Sequence, residues 1–366
     1  MAQINYLNVI DHGNSPGIDA PERRKAMIAI ADTLARGALD ELSFYFAPQA
    51  VLFTALKLGI FDAIGIIART ADDLASTLGC SPRGVRMLLN SMAGMGLLDK
   101  ENGRYGLTGL SRDYFLSSGK NYLGSLFICS DQILKLWLKL PDAVETGRPM
   151  LPLLSKKERE RLNLDIVEAL FHVHKDAAWK LTALFEKTFL SGGQNIKILD
   201  VAAGSGVWSL PFAVHFKRVE VAAIDFAPVL EVTRKFAQAF GVPDQYRMIA
   251  ADIRTMEFGT EEYDLALLGH ICHSEGAEWS RRLIEKCFRA LKKKGRLLIM
   301  DYIADEERKS DLMPLLLALN ALVGTEEGDT FTFSEYRQWL SSAGFGEIRL
   351  LDIDAQSPVI AALKSD

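Results

Sequence analysis

Residues 196–206, IKILDVAAGSG, run from an apolar stretch through Asp200 into a pair of glycines, Gly204 and Gly206. The residues that follow, VWSLPFAVHF (207–216), have helical character. A β-rich run that turns on two glycines into a helix is the unit on which the fold reading rests. Without a Cβ, glycine permits a tight turn and lets a ligand approach the backbone. In an open α/β sheet, ligands bind in the crevice beyond the carboxyl ends of the strands. The pattern is G-S-G-V-W-S, so Ser209 stands where the third glycine of G-x-G-x-x-G would be.

Downstream the same rhythm repeats. VEVAAID (219–225), YDLALLG (263–269) and GRLLIMDYI (295–303) are short apolar runs. Helical stretches such as APVLEVTRKFAQAFG (227–241) and AEWSRRLIEKCFRALKKKG (277–295) separate them. Alternating strands and helices predict a mostly parallel sheet covered on both faces. The last two runs, GEIRLLDI and PVIAALK, are joined by DAQS (354–357), a link that allows a hairpin but not a parallel crossover.

Upstream the period is helical. Residues 1–20 are polar and turn-rich and read as a flexible terminus. Residues 21–189 read as a mainly helical domain and 190–366 as the α/β domain. PERRKAMIAIADTLARGALDEL (21–42) keeps helical spacing, and FAPQAVLFTALKLGIFDAIG (46–65) is apolar nearly all round, so it should be buried. Thr70 and Ser81 are good N-caps ahead of two helices, and Asn102-Gly103 in LLDKENGRYGLT (97–108) signals a hairpin. Helix, turn, helix, hairpin is a winged-helix arrangement. Its second helix, Pro82 to Met95, carries only Arg83 and Arg86 as bases. A base-reading helix needs more side chains for bases and phosphates, so a packing or dimerisation module fits better than a DNA-binding head.

The bulk properties exclude other classes. A net charge of −5 offers no basic face for nucleic acid. The four cysteines (Cys80, Cys129, Cys272, Cys287) have no C-x-x-C spacing and read as reduced thiols of a cytoplasmic protein. MAQINYLNVIDHGNSPG lacks the pattern of a secretory signal. Charges break every apolar run well short of a membrane span.

Two further acids stand at strand ends. Asp225 closes VAAID, 19 residues after Gly206, where a carboxylate suits the ribose hydroxyls of a nucleotide-type ligand. Asp252, in MIAADIRTM, could accept from the exocyclic amine of an adenine, with Ile253 covering the ring.

These motifs, in order, resemble a known family. ILDVAAGSG, AAIDFAPVL, AADIRTM, HICHSEGAEWSRRLIEKCFRALKKKGRLLIMDYI and FTFSEYRQWLSSAGF resemble the motifs of S-adenosylmethionine-dependent small-molecule O-methyltransferases of the plant-caffeate and bacterial-polyketide type. TADDLASTLGCSPRGVRMLLNSMAGMGLLDKENGRYGLT is similar to their winged-helix dimerisation region, and LWLKLPDAVETGRP looks like their linking segment. The resemblance spans roughly residues 40 to 365. It implies a Rossmann-like class I methyltransferase domain, a homodimer and a site for S-adenosylmethionine, left as S-adenosylhomocysteine. Asp200, Gly204 and Gly206 would wall the methionine end, Asp225 would hold the ribose, and Asp252 and Ile253 would sit by the adenine. Ala202 and Phe226 are counted among the cofactor-binding residues. The chain departs from D-x-G-G-G-x-G at Ala202 and Ala203. It also has Gly269-His270 where plant members carry Lys-Trp, so the lysine contact is lost and His270 would replace the indole.

HICH (270–273) raises the question of a metal. On a strand, His270 and Cys272 share one face and His273 takes the other, so no metal site is expected. The resemblance puts His273 on the family's catalytic base. A phenol with pKa near 10 needs a base at neutral pH, and an imidazole with pKa about 6.5 can serve. A base needs an orienting partner. The family's two glutamates align with Asp301 and with Thr330, where neighbouring Asp329 or Glu327 could substitute. The acid usual after the base is Ser274 here, followed by Glu275.

For the acceptor, the helices of residues 125–185 offer Trp137, Phe171 and His174. LMPLLLALNALVG (312–324) would cover the site, with Met313, Leu316 and Asn320 lining it. That apolar lining implies an aromatic or hydrophobic small molecule. Methylation on carbon or nitrogen, a non-methylating reaction on bound S-adenosylmethionine, and a winged-helix DNA-binding sensor are the alternatives.

Overall fold

The computed structural model describes residues 44–119, 121–128, 130–189, 195–353 and 358–365. The expected terminus over 1–20, the helix over 21–42, the 354–357 link and Cys129 lie outside them. By its internal packing the chain divides into residues 1–131 and 132–366.

Among the described residues, the first unit holds α1 (Phe46–Lys57) and α2 (Ile60–Ile64), then β1 (Arg69–Thr70), α3 (Ala71–Leu78), α4 (Pro82–Gly94), β2 (Leu98–Glu101), β3 (Arg104–Leu107), α5 (Gly109–Tyr114) and α6 (Gly124–Ile128). Both expected caps form. Thr70 accepts from the Asp73 N–H in a capping box, and Ser81 accepts from the Gly84 N–H ahead of Pro82. The β2–β3 hairpin turns on Asn102 (φ 48°) and Gly103 (φ 77°), the two left-handed residues that a tight hairpin needs. β1 adds antiparallel to β3, giving a three-stranded wing. Phe61, Leu74, Leu89, Met92, Leu97 and Phe115 fill the core between helices and wing. On α4, Arg83, Arg86 and Met87 are exposed while Val85, Leu89 and Met92 are buried.

The second unit begins within α7 (Ser130–Trp137) and continues through α8 (Leu140–Thr146) to the 34-residue α9 (Lys156–Phe189). Then come β4 (Ile196–Val201), α10 (Leu210–His215), β5 (Val219–Asp225), α11 (Ala227–Ala239), β6 (Tyr246–Ala250), β7 (Tyr263–Gly269), α12 (Cys272–Ala290), β8 (Leu291–Met300), α13 (Leu312–Gly324), α14 (Phe333–Ala343), β9 (Phe345–Leu351) and β10 (Val359–Lys364). The boundary expected at 189/190 is therefore displaced. Phe171, Ala178, Leu181 and Phe185 of α9 pack into the core of the sheet, which ties that helix to the second unit.

The strand order is β6-β5-β4-β7-β8-β10-β9, parallel from β6 to β8. β10 runs antiparallel to both β8 and β9, as the short link requires. Alternate residues feed opposite faces. Ile198, Val221, Leu265, Leu267 and Leu298 join α9, α10 and α11 on one side. Leu199, Ala222, Ala266, Leu268 and Leu297 join α12 and α14 on the other. Continuous apolar strands are what a sheet covered on both faces demands. The order reverses between β4 and β7, and the crevice at that switch point is where the site residues gather. Among the described residues no helix is long and apolar enough to cross a membrane.

Candidate active site

The turn after β4 is built from left-handed residues: Ala202 (φ 54°), Gly204 (φ 58°) and Gly206 (φ 74°). A Cβ at Gly206 would come within 2.9 Å of Thr233 Cγ2, so glycine is required there twice over. The departure at Ala202 falls on a position that favours glycine, and alanine there carries strain. Asp225 ties the turn to β5. Its Oδ2 accepts from the Gly204 N–H at 2.9 Å and its Oδ1 from the Phe226 N–H at 2.7 Å. Phe226 itself lies exposed at the start of α11.

Asp200 is buried, and its Oδ2 has no hydrogen-bond partner. Burial pushes its carboxyl up to about 7, opposed by a hydrogen bond from Ser209 and reinforced by the charge of Asp225. A cation brought against that oxygen would restore the carboxylate. The ammonium of S-adenosylmethionine is such a cation, and the left-handed glycine turn leaves backbone beside it; the residues fit the group. Asp252 stands two residues beyond β6 and not at its end, with its Oδ1 accepting from the Arg254 N–H at 2.8 Å. Ile253 is buried next to it.

His273 lies across the crevice. The helical backbone of α12 is interrupted at Gly276 (φ 78°, ψ 174°), which leaves Cys272–Glu275 as a single turn before a kink. His273 sits in that turn. Its Nδ1 lies 2.7 Å from Asp301 Oδ1, and its backbone N–H donates to Asp301 Oδ2 at 3.1 Å. Asp301, just past β8, has no solvent exposure. It also accepts from the Tyr302 N–H at 2.8 Å and the Tyr336 hydroxyl at 3.0 Å. Burial disfavours a charged imidazole at His273, but the charge and hydrogen bond of Asp301 outweigh it, and the pKa is raised above 6.5.

His270 corrects the expectation that it diverges from His273. Its φ of 54° swings the ring back, so its Nδ1 comes within 3.9 Å of Asp301 Oδ1. Ligand-type atoms of His270, His273 and Asp301 lie within 4.8 Å of one another. The four hydrogen bonds on Asp301 come from His273, Tyr302 and Tyr336; His270 makes none of them, and neither of its buried ring nitrogens has a hydrogen-bond partner. The His270 ring stacks on His174 (centroids 4.1 Å apart) and neighbours Trp208 (5.9 Å) and Tyr302 (5.3 Å). Gly269 has its own reason: a Cβ there would come within 2.4 Å of Trp208 Cδ1, so the space a lysine stem would need holds an indole. Cys272 packs fully buried in the core.

Other expectations sort by place. Trp137 Nε1 donates to Asn320 Oδ1 at 3.0 Å, joining α7 to α13. Met313 and Leu316 are exposed on α13. Phe171 is a core residue and not a lining one. It stacks 3.7 Å from Phe236 of α11, because the helical stripe that carries it faces the sheet. The Asp329 carboxylate is directed to its own loop, with Oδ1 accepting from the Thr330 N–H at 2.7 Å. Its backbone N–H donates to the His273 carbonyl at 2.9 Å, so Asp329 touches His273 through its main chain. Trp208 and Tyr336 went unassigned in the sequence. Trp208 follows directly on the glycine turn, the one signal that could have found it; Tyr336 had none beyond an apolar stripe.

Comparison with known proteins gives the family. Residues 40–117 match the O-methyltransferase dimerisation domain and residues 157–346 the O-methyltransferase domain. The chain is 26% identical over 316 residues to the 3-hydroxy-5-methyl-1-naphthoate 3-O-methyltransferase of Streptomyces sahachiroi, covering 85% of this chain and 90% of that one. It is 25% identical to the tetracenomycin polyketide synthesis 8-O-methyl transferase of Streptomyces glaucescens, covering 86% and 92%. Human N-acetylserotonin methyltransferase, crystallised with S-adenosylmethionine, shares the fold at a TM-score of 0.80 and 24% identity, covering 91% of this chain and 98% of that one. With its second-unit match spanning more than half its length, the chain belongs to the S-adenosylmethionine-dependent O-methyltransferase family.

Proposed function

We propose that His273 is the general base for methylation of a hydroxyl on a hydrophobic aromatic small molecule, and that the enzyme works as a homodimer. The observation that carries the reading is the His273 Nδ1–Asp301 contact of 2.7 Å. With Nδ1 engaged by a carboxylate, Nε2 is the nitrogen left to accept a proton. Bound S-adenosylmethionine supplies an electrophilic methyl group on a sulfonium. The chain's share is to place the acceptor and take its proton. His273 removes the hydroxyl proton as the oxygen becomes the nucleophile, and Asp301 steadies the imidazolium that results. Asp200, Asp225 and the 202–206 turn would hold the donor, and fixing both reactants in one crevice is what lowers the entropic cost of the transfer.

The exposed apolar residues of α13, Met313 and Leu316, support a hydrophobic acceptor. Two relatives named for a hydroxynaphthoate and for a polyketide support an aromatic one. The dimerisation-domain match supports the homodimer. The buried, unpaired thiols of Cys272 and Cys287, the latter pushed up to about 12 by burial, suit a reducing cytoplasm.

The test is incubation with methyl-labelled S-adenosylmethionine and a panel of phenols, catechols and quinols. Labelled ether product is expected; product labelled on carbon or nitrogen, or unlabelled, would overturn the reading. His273→Gln should keep donor binding and lose turnover by about 10²- to 10⁴-fold.

A further inference from the structure

We infer that Tyr336 is a positioning residue for methyl transfer: its buried hydroxyl fixes the Asp301 carboxylate, which in turn fixes His273. The inference rests on the reading of His273 as base. Three of the donors to Asp301 are the His273 ring, the His273 N–H and the N–H of adjacent Tyr302. The fourth, the Tyr336 hydroxyl, comes from a separate element, α14. It alone of the four ties the carboxylate to something other than the base and its own chain neighbour.

Tyr336 has no freedom to do otherwise. It is fully buried, packed edge-on by Phe331 (5.9 Å) and Trp339 (5.2 Å). The start of α14 is set by the Thr332–Glu335 capping box, and Glu335 is further held by Arg308 at 2.8 Å. A phenol this deep must find an acceptor, and a carboxylate is a strong one. Burial, with the Asp301 charge added, raises its pKa well above 10, so it stays a donor at any working pH. By sharing the carboxylate's charge, the hydroxyl limits how tightly Asp301 holds the imidazolium. It also stops the carboxylate from rotating out of line with Nδ1.

Other titratable groups face His273. Asp301 follows β8, His270 follows β7 with its ring centre 6.2 Å away, His174 comes from α9 behind His270, and Cys272 is adjacent in α12. Tyr336→Phe substitutes none of these groups and keeps the ring's volume; it removes the hydroxyl's hydrogen bonds to Asp301 and Cys272.

The experiment follows the His273 imidazole by nitrogen-15 NMR in the full chain, assigned among the six histidines by its loss in His273→Gln. In Tyr336→Phe the His273 midpoint should rise by about half a pH unit. The kcat should fall by about 5-fold with the donor KM unchanged. In the unsubstituted protein, the Cζ resonance of carbon-13-labelled Tyr336 should titrate with the His273 midpoint, a readout that needs no variant to fold. A flat Tyr336 resonance, or an unmoved His273 midpoint with unchanged kcat, would overturn the inference even if Tm fell. Full turnover in His273→Gln would instead overturn the base reading, while the NMR coupling would stand or fall by itself.

Discussion

His174 lies flat against His270, ring centres 4.1 Å apart and planes 21° from parallel, and neither Nε2 has a hydrogen-bond partner. Burial lowers both pKa values, His174 to about 4 and His270 well below 6.5, with the nearby His174 and His273 adding to the effect on His270. In the unfolded chain both titrate near 6.5. Below that pH the unfolded state binds more protons than the folded one, so stability present above pH 6.5 is lost as pH falls toward 4. For His174 alone, full titration amounts to on the order of 3 kcal/mol. Urea unfolding at pH 7.5, 6 and 5 should show a steeper acid loss in the native protein than in His174→Phe. Equal slopes would mean that the pair is not neutral in the folded state.

The glycine turn predicts two substitutions of opposite sign. Gly206→Ala adds a methyl group 2.9 Å from Thr233 Cγ2 at a φ of 74°. Thr233 cannot move freely, since its hydroxyl donates to the Gly204 carbonyl at 2.7 Å. A loss of about 2 kcal/mol or more is expected. Ala202→Gly removes a Cβ from a left-handed residue and should be neutral or stabilising by up to about 1 kcal/mol, the strain relieved being partly offset by chain entropy. Tm measured on both variants, side by side with the parent, checks the order.

How much of this was legible in the sequence depends on which interactions decide each feature. The strands were legible because a sheet covered on both faces writes itself as continuous apolar runs, and Asp200 and Asp225 because they end such runs. The Asn102-Gly103 turn was legible because its conformation depends on those two residues alone. His270 was not. A histidine adopts φ 54° only when its surroundings impose it, here the Met300 carbonyl accepting its N–H at 2.8 Å and the rings around it. Reading His270 as a strand residue therefore sent its ring to the wrong side. The 34-residue α9 misled in another way. Its apolar stripe shows that Phe171 and His174 are covered, but not by what. One meets Phe236 in the core and the other meets His270 at the site.

Asp225 makes a separable prediction about the donor. Its two oxygens each accept one backbone N–H, from Gly204 and Phe226, and carboxylate oxygens have a second lone pair for ribose hydroxyls. Asp225→Ala should lose both the turn anchor and the ribose contact. Calorimetry should then show S-adenosylmethionine binding at least about 10-fold weaker, or roughly 1.4 kcal/mol. His273→Gln, on the other side of the crevice, should bind the donor as the parent does. The reverse pattern would exchange the two roles.

Asp329 distinguishes main-chain from side-chain action on His273. The 325–330 loop is pressed against the first turn of α12: a Cβ on Gly328 would lie 2.6 Å from the His273 carbonyl, and one on Gly276 would lie 2.4 Å from the Glu327 carbonyl. At that separation the loop acts through its backbone, and the Asp329 N–H to His273 carbonyl bond of 2.9 Å is the link. The Asp329 carboxylate is exposed and bonded to the Thr330 N–H, and we propose that it serves the loop and not the His273–Asp301 relay. Asp329→Ala should change kcat by less than about 3-fold, whereas Asp329→Pro removes the donor and should cost about 1 kcal/mol of local order around His273 or more. With matched S-adenosylmethionine affinity in both variants, a large kcat loss in Asp329→Ala would restore the carboxylate to the relay. A normal kcat in Asp329→Pro would show that the first turn of α12 holds His273 without the loop.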